Sequence, residues 1–161
     1  MSLTLEEVID HIRNRSYMSG VQRTQARVKA TGEEFTPTDL LRNALGNMNI
    51  ENIINPANTF LDPSCGDGQF LGEVLIRKME NSSTFEQALS TTYGVDLMQD
   101  NVDECRKRLL CGRTDLQHVV ERNIMCADAL RYHYRFDGSD PYDKTPEEQF
   151  EEHVSNLFSF E

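Results

Sequence analysis

Near the start of the chain, apolar residues fall three and four apart, at Leu5, Val8, Ile9 and Ile12, behind Thr4 and Glu7. A threonine followed three residues later by a glutamate spells a capping box: the hydroxyl accepts a first-turn N–H and the carboxylate reaches back to the cap's own N–H. The pattern predicts a helix over residues 5–15. Residues 16–36 show no period and read as a loop with room for one short helix. The helical stripe returns at Leu40, Leu41, Ala44, Leu45 and Met48. With Thr36 or Thr38 as cap and Pro37 near the first turn, this predicts a second helix to about Asn47.

From Thr59 onward the pattern changes character. Thr59, Phe60 and Leu61 form a short β-prone run into the turn DPSCGDGQ, and Phe70, Leu71, Val74, Leu75 and Met79 resume helical spacing. TTYGVDL reads as a strand ending near Asp96, NVDECRKRLL as the helix after it, and residues 119–127 hold a third strand ending at Asp128. Strand alternating with helix predicts an α/β fold with a parallel sheet. Tyr132, Tyr134 and Phe136 alternate at period two, which predicts another short strand. From Asp137 to Glu152 seven acids face Lys144 alone, the pattern of a solvated tail ending in the apolar LFSF of residues 157–160. The expected division is a domain over residues 1–136, opening with a helix and basic loop at 1–37, and an acidic tail over 137–161.

Composition narrows the function classes. Hydrophobic residues make up 38% and charged residues 27%, ordinary globular usage, and no apolar run approaches the roughly 18 residues a membrane span requires. The N-terminus has acids where a secretory signal is basic and apolar, so the expected location is the cytoplasm. Cys65, Cys105, Cys111 and Cys126 lie far apart with no C-x-x-C pair, which predicts reduced thiols and no metal site. The net charge of -11 opposes unaided binding to nucleic acid. Residues 13–29 nevertheless carry Arg13, Arg15, Arg23, Arg27 and Lys29 without an acid. Arg23, Arg27 and Lys29 are therefore candidates for phosphate contact, against the plainer reading of a solvated loop.

The candidate chemistry sits at the strand ends. Gly66 and Gly68 allow a sharp turn and close ligand approach ahead of a helix whose first N–H groups are free. Asp96, ending the second strand, suits a pair of ribose hydroxyls, and Asp62, ahead of the turn, suits an ammonium group better than a pyrophosphate. The plainer readings are strand-end caps for Asp62 and Asp96, a helix cap for Asp128, plain core for Phe35 and a small buried residue for Cys65.

DPSCGDGQF resembles the D-P-x-x-G-x-G-x-F signature of class I methyltransferases in the form typical of adenine-specific DNA enzymes. Upstream, GEEFTPTDLL at residues 32–41 resembles the F-x-T-P element of that family, and downstream YGVDL and CADAL resemble its second and third signatures. The set covers roughly residues 30–132 in the family's order. The resemblance implies a partial Rossmann-like methyltransferase fold, about three parallel strands with flanking helices plus N-terminal helices, and S-adenosylmethionine as cofactor. It places Phe35, Thr36 and Pro37 against the cofactor, Asp62 near its amino group, and Gly66 and Gly68 beneath its methionine part. Asp96 then takes the ribose, Leu97 packs on the adenine and Asp128 accepts from the adenine amino group. Pro63, Ser64, Ala129 and Leu130 complete the binding set.

The family's acceptor motif, N/D-P-P-Y/F after a fourth strand, is not found in the sequence. Ser139-Asp140-Pro141-Tyr142 is the nearest string, lacking one proline and any preceding apolar strand, so Asp140, Pro141 and Tyr142 are the only catalytic candidates. In the family's sheet the first strand lies between the second and the fourth. Its free edge here predicts a cover, whether a second copy, a partner protein or the chain's own LFSF. Three readings stay open. One is an adenine-specific DNA methyltransferase or its cofactor-binding subunit, with Tyr132 or Tyr134 stacking on a base. The second is an inactive truncated relative of phage type, working in the host cytoplasm, that binds cofactor or a host protein as an anti-restriction or regulatory factor. The third is an acidic DNA mimic.

Overall fold

The computed structural model describes residues 2–15, 23–144, 148, 150–152 and 154–155. The chain begins with α1 (Leu5–Asn14), α2 (Gln25–Thr31), α3 (Thr38–Asn47) and α4 (Ile50–Ile54). It continues through β1 (Phe60–Asp62), α5 (Gln69–Glu80), α6 (Phe85–Ser90) and β2 (Thr92–Asp96), then α7 (Gln99–Leu110), α8 (Gln117–Asn123) and β3 (Ile124–Cys126). The capping box read from Thr4 and Glu7 is formed. A second box, Thr84 with Gln87, starts α6. The Thr24 side chain caps α2, which ends at Gly32 in the left-handed region.

The three strands form an open, all-parallel sheet in the order β1-β2-β3. Parallel neighbours need a crossover, and α5 with α6, then α7 with α8, supply the two connections. On one face Thr92 donates its hydroxyl to the Ala88 carbonyl at 2.8 Å. On that face too, Gly94 leaves no room for a Cβ, which would lie 2.8 Å from Leu71 and 2.9 Å from the Cys65 sulfur. The main core fills this side with Leu71, Leu75, Phe85, Leu89, Val102, Leu109 and Ile124.

The opposite face carries Val95 and Ala127 beneath Tyr132 and Phe136. This is where the expected fourth strand is corrected. Residues 132–136 pair with no strand, because Tyr134 and Phe136 hold left-handed backbone at φ 53° and 47°. Their alternation reflects a cluster of rings: Phe136 lies 4.8 Å from Tyr93 and 5.3 Å from Tyr132.

One buried cation ties the N-terminal helix to the sheet layer. Arg108 on α7, 1% exposed, donates to the Asp67 carbonyl at 2.9 Å and its carboxylate at 3.1 Å. It also reaches the Ile12 and Arg15 carbonyls at 2.9 and 2.8 Å. A buried charge is tolerable when its donors are met in this way. Beside it Val8 and Ile12 of α1 are fully buried, each contributing on the order of 1.5–3 kcal/mol. The aliphatic seam closes because Gly72 admits Ile12, whose methyl would stand 2.8 Å from an added Cβ.

Among the described residues, β1 pairs only with β2 and its other edge carries no strand. The LFSF segment expected as a possible cover lies outside the described residues. No described helix is long and apolar enough to cross a membrane. The start of the acidic tail is held by Arg135, which donates to the Asp140 and Asp143 carbonyls at 3.0 and 2.8 Å.

Candidate functional site

A cavity of about 660 Å³ opens at the carboxyl ends of the three strands, under residues 31–36. That end of an open parallel sheet is the usual ligand position, since strands and helices there present loops and unpaired N–H groups. Of the expected cofactor residues, the wall includes Phe35, Thr36, Asp62, Pro63, Ser64, Gly66, Asp96, Leu97, Asp128 and Ala129. Pro37, Gly68 and Leu130 lie outside it. Leu130 is 96% exposed. Pro37 instead serves as the N-cap residue of α3.

The two glycines of the turn divide their work. Gly66, at φ 52°, faces the cavity, and the Phe35 ring lies 3.4 Å from the position of an added Cβ. Gly68, at φ 82°, instead admits α7: a Cβ would meet the Cys105 sulfur at 2.7 Å. Contact with Cys105 and burial push the Cys65 thiol well above its ordinary range, so it stays protonated and is no nucleophile.

All three strand-end acids cap their own turns. Asp62 accepts the Ser64 N–H at 3.0 Å, Asp96 the Met98 N–H at 2.9 Å and Asp128 the Leu130 N–H at 2.9 Å. The strand-end capping considered for Asp62 and Asp96 is thus realised, in residues that also line the cavity. Asp96 is held most firmly, accepting further bonds from the Gly66 N–H at 3.0 Å and the Asn101 amide at 3.1 Å. A carboxylate has about four lone-pair sites, so Asp96 keeps about one for a ligand. Burial pushes the Asp62 carboxyl above its ordinary range, the Ser64 N–H only partly offsets this, and the nearby charge of Asp96 adds to the rise.

Among the described residues the cavity wall carries Glu33, Glu34, Asp62, Asp67, Asp96 and Asp128 and no lysine, arginine or histidine. Arg108 balances Asp67. Glu33 pairs with Arg27 and, at 3.4 Å, with Arg23. Burial alone would raise Glu33, but the hydrogen bonds from Arg27 and Asn101 outweigh it and hold the carboxyl low. Arg27 also forks onto Asp100 at 2.9 and 3.0 Å. Arg23 and Arg27, expected at phosphate, are thus engaged by acids, while Lys29 is exposed.

Gln69 and Asn101 were not singled out in the sequence. Gln69 donates to the Thr36 carbonyl at 3.0 Å and accepts the Thr38 hydroxyl at 2.6 Å, so it holds the F-T-P segment over the turn. It closes the DPSCGDGQ run, the one signal that pointed to it.

The expected acceptor segment stands elsewhere. The Tyr142 hydroxyl accepts the Asp128 N–H at 2.7 Å, and the Arg131 guanidinium lies 5.1 Å from its ring centre. Asp140 accepts the Tyr142 N–H at 2.8 Å. The segment therefore docks beyond β3, across the sheet from the free edge of β1. Tyr132 is 6% exposed inside the aromatic cluster, which leaves it no free face for a base, and Tyr134 donates its hydroxyl to the Ala129 carbonyl at 2.7 Å. Among the described residues no group of His, Cys, Asp and Glu is arranged to hold a metal ion.

No protein-family model, curated protein or solved structure matches the chain.

Proposed function

We propose that this cavity binds S-adenosylmethionine and that the chain is the cofactor-binding part of an adenine-specific DNA methyltransferase system with a partial Rossmann-like fold. The observation that carries the reading is a cavity lined by acids and, among the described residues, by no cation, set at the carboxyl ends of parallel strands over a glycine turn. Such a wall repels the phosphates of a nucleotide and attracts a nucleoside that bears positive charge. S-adenosylmethionine carries a sulfonium and an ammonium group.

Asp62, half-buried and short of a cationic partner among the described residues, gains charge stabilisation from an ammonium group. The remaining acceptor position of Asp96 suits a ribose hydroxyl, and the half-exposed Leu97 beside Ala129 gives the adenine an apolar surface. When bound, the cofactor would supply the methyl group for transfer to an adenine amino nitrogen. This chain's own residues bind and orient the donor.

The docking of Tyr142 on Asp128 argues against Asp140, Pro141 and Tyr142 as the acceptor site. The acceptor group then comes from a partner protein. The same observation favours the second reading, an inactive relative that binds cofactor or a host protein as a regulatory factor. Two measurements test these readings together. Calorimetry with S-adenosylmethionine tests the site, and methyl transfer from labelled cofactor to unmodified DNA or RNA, with and without candidate partners, separates enzyme component from regulator. Absence of cofactor binding refutes the first reading and leaves the second only as a protein that binds a host partner.

A further inference from the structure

The segment over the cavity is fastened on both sides of Phe35. On one side Gln69, 6% exposed, grips the Thr36 carbonyl and the Thr38 hydroxyl. On the other, Asn101, 2% exposed, donates to Glu33 at 2.7 Å. Asn101 uses its second amide hydrogen on Asp96 at 3.1 Å and accepts from Arg23 at 3.1 Å. One amide therefore stands between two carboxylates, one on the segment over the cavity and one at the end of β2. Without that donor the two acids would face each other unbridged.

We infer that Asn101 is a positioning residue that couples closure of residues 32–37 over the cavity to the placement of Asp96, so that the Glu33 to Asn101 bond acts as a latch on ligand entry and exit. The inference rests on the reading of the cavity as the S-adenosylmethionine site, but the latch itself exists without ligand. When the latch is made, the Phe35 ring lies on Gly66, and the Gly66 and Met98 N–H groups fix the Asp96 carboxylate. When it opens, the segment swings on the remaining Gln69 attachment and Asp96 loses one of its three donors. Arg27 strengthens the closed state by forking between Glu33 and Asp100, which joins α2 to the start of α7.

The test combines hydrogen exchange on the ligand-free protein with S-adenosylmethionine binding by calorimetry and stopped flow. Asn101→Ala is expected to speed amide exchange in residues 32–37 and also at Gly66 and Met98. Glu33→Ala, a change outside the core, is expected to speed exchange in residues 32–37. Each is expected to weaken S-adenosylmethionine about tenfold through a faster off-rate, the scale of one charge-assisted hydrogen bond. The double variant should lose little more than Asn101→Ala alone, because the Asn101 to Glu33 bond is already broken in that variant. Glu33→Gln, which keeps an oxygen for the Asn101 amide, should retain more affinity than Glu33→Ala. Unchanged exchange in residues 32–37 in both single variants overturns the latch, as does full additivity of the two losses. If the wild-type protein binds no S-adenosylmethionine while the exchange effects appear, the latch stands and the cofactor reading fails.

Discussion

Substituting alanine at Gly68 and, separately, at Gly66 divides packing from binding within one turn. At Gly68 the backbone sits at φ 82°, ψ 20°, a left-handed conformation that costs a residue with a Cβ about 1–2 kcal/mol. The new methyl would also lie 2.7 Å from the Cys105 sulfur and 3.2 Å from the Cys105 Cα, so α7 itself has to move. Overpacking of this kind costs about 1–3 kcal/mol, giving a total of roughly 2–5 kcal/mol. For a domain of this size that lowers the melting temperature by roughly 4–20 °C. At Gly66 the left-handed cost recurs, but the nearest atom is the Phe35 ring at 3.4 Å, which can shift. Gly66→Ala should therefore cost about 1–2 kcal/mol of stability while displacing Phe35 from the cavity and reducing ligand affinity. Urea denaturation followed by circular dichroism, run beside calorimetric titration, reads both quantities. Adding Cys105→Ala to Gly68→Ala should restore part of the stability, since the sulfur is removed but the helix backbone remains. A neutral Gly68→Ala, or a Gly66→Ala less stable than Gly68→Ala, would refute this division of roles.

Asp62→Asn is expected to raise the melting temperature of the ligand-free protein at pH 7 and to weaken S-adenosylmethionine about tenfold or more. Because the folded-state pKa is raised, ionisation costs stability above it, and the gain from asparagine disappears below about pH 4, where the unfolded carboxyl is also protonated. Glu33 and Asp100 carry the opposite sign: their pKa values are lowered by Arg27. Their contribution is present above the ordinary carboxylate range and is lost as pH falls through the lowered values, so protection factors in residues 24–37, corrected for the slower intrinsic exchange in acid, should fall. Arg108→Met removes the cation that pairs with buried Asp67 and one donor from each of three carbonyls. It should destabilise the fold by about 3–5 kcal/mol in the same urea assay.

The parts of the fold that rest on local rules were legible in the sequence. The helix begun by Thr4, the strand ending at Asp96 and the helix behind Gly68 all follow from period and capping within a few residues. The short α6 is equally spelled out by Thr84 and Gln87, and β3 falls within residues 119–127 as expected, directly after the end of α8. The aromatic alternation at residues 132–136 misled because a half-buried strand and a ring cluster on a contorted backbone place aromatics at the same spacing. In the site, Asp62, Gly66, Asp96 and Asp128 were visible because strand ends fix them. Asn101 meets Glu33 across 68 residues of chain and Gln69 meets Thr36 across 33, contacts that no spacing encodes. Arg23 and Arg27 looked free because their acidic partners, Glu33 and Asp100, lie outside the basic stretch in which they were read.

Isothermal titration of S-adenosylmethionine into the full chain, with Asp96→Ala alongside, addresses the central claim most directly. The account predicts saturable binding at one site per chain, lost when the carboxylate that accepts the Gly66 and Met98 N–H groups is removed. No heat of binding in the wild-type protein, or binding that survives Asp96→Ala unchanged, would contradict it.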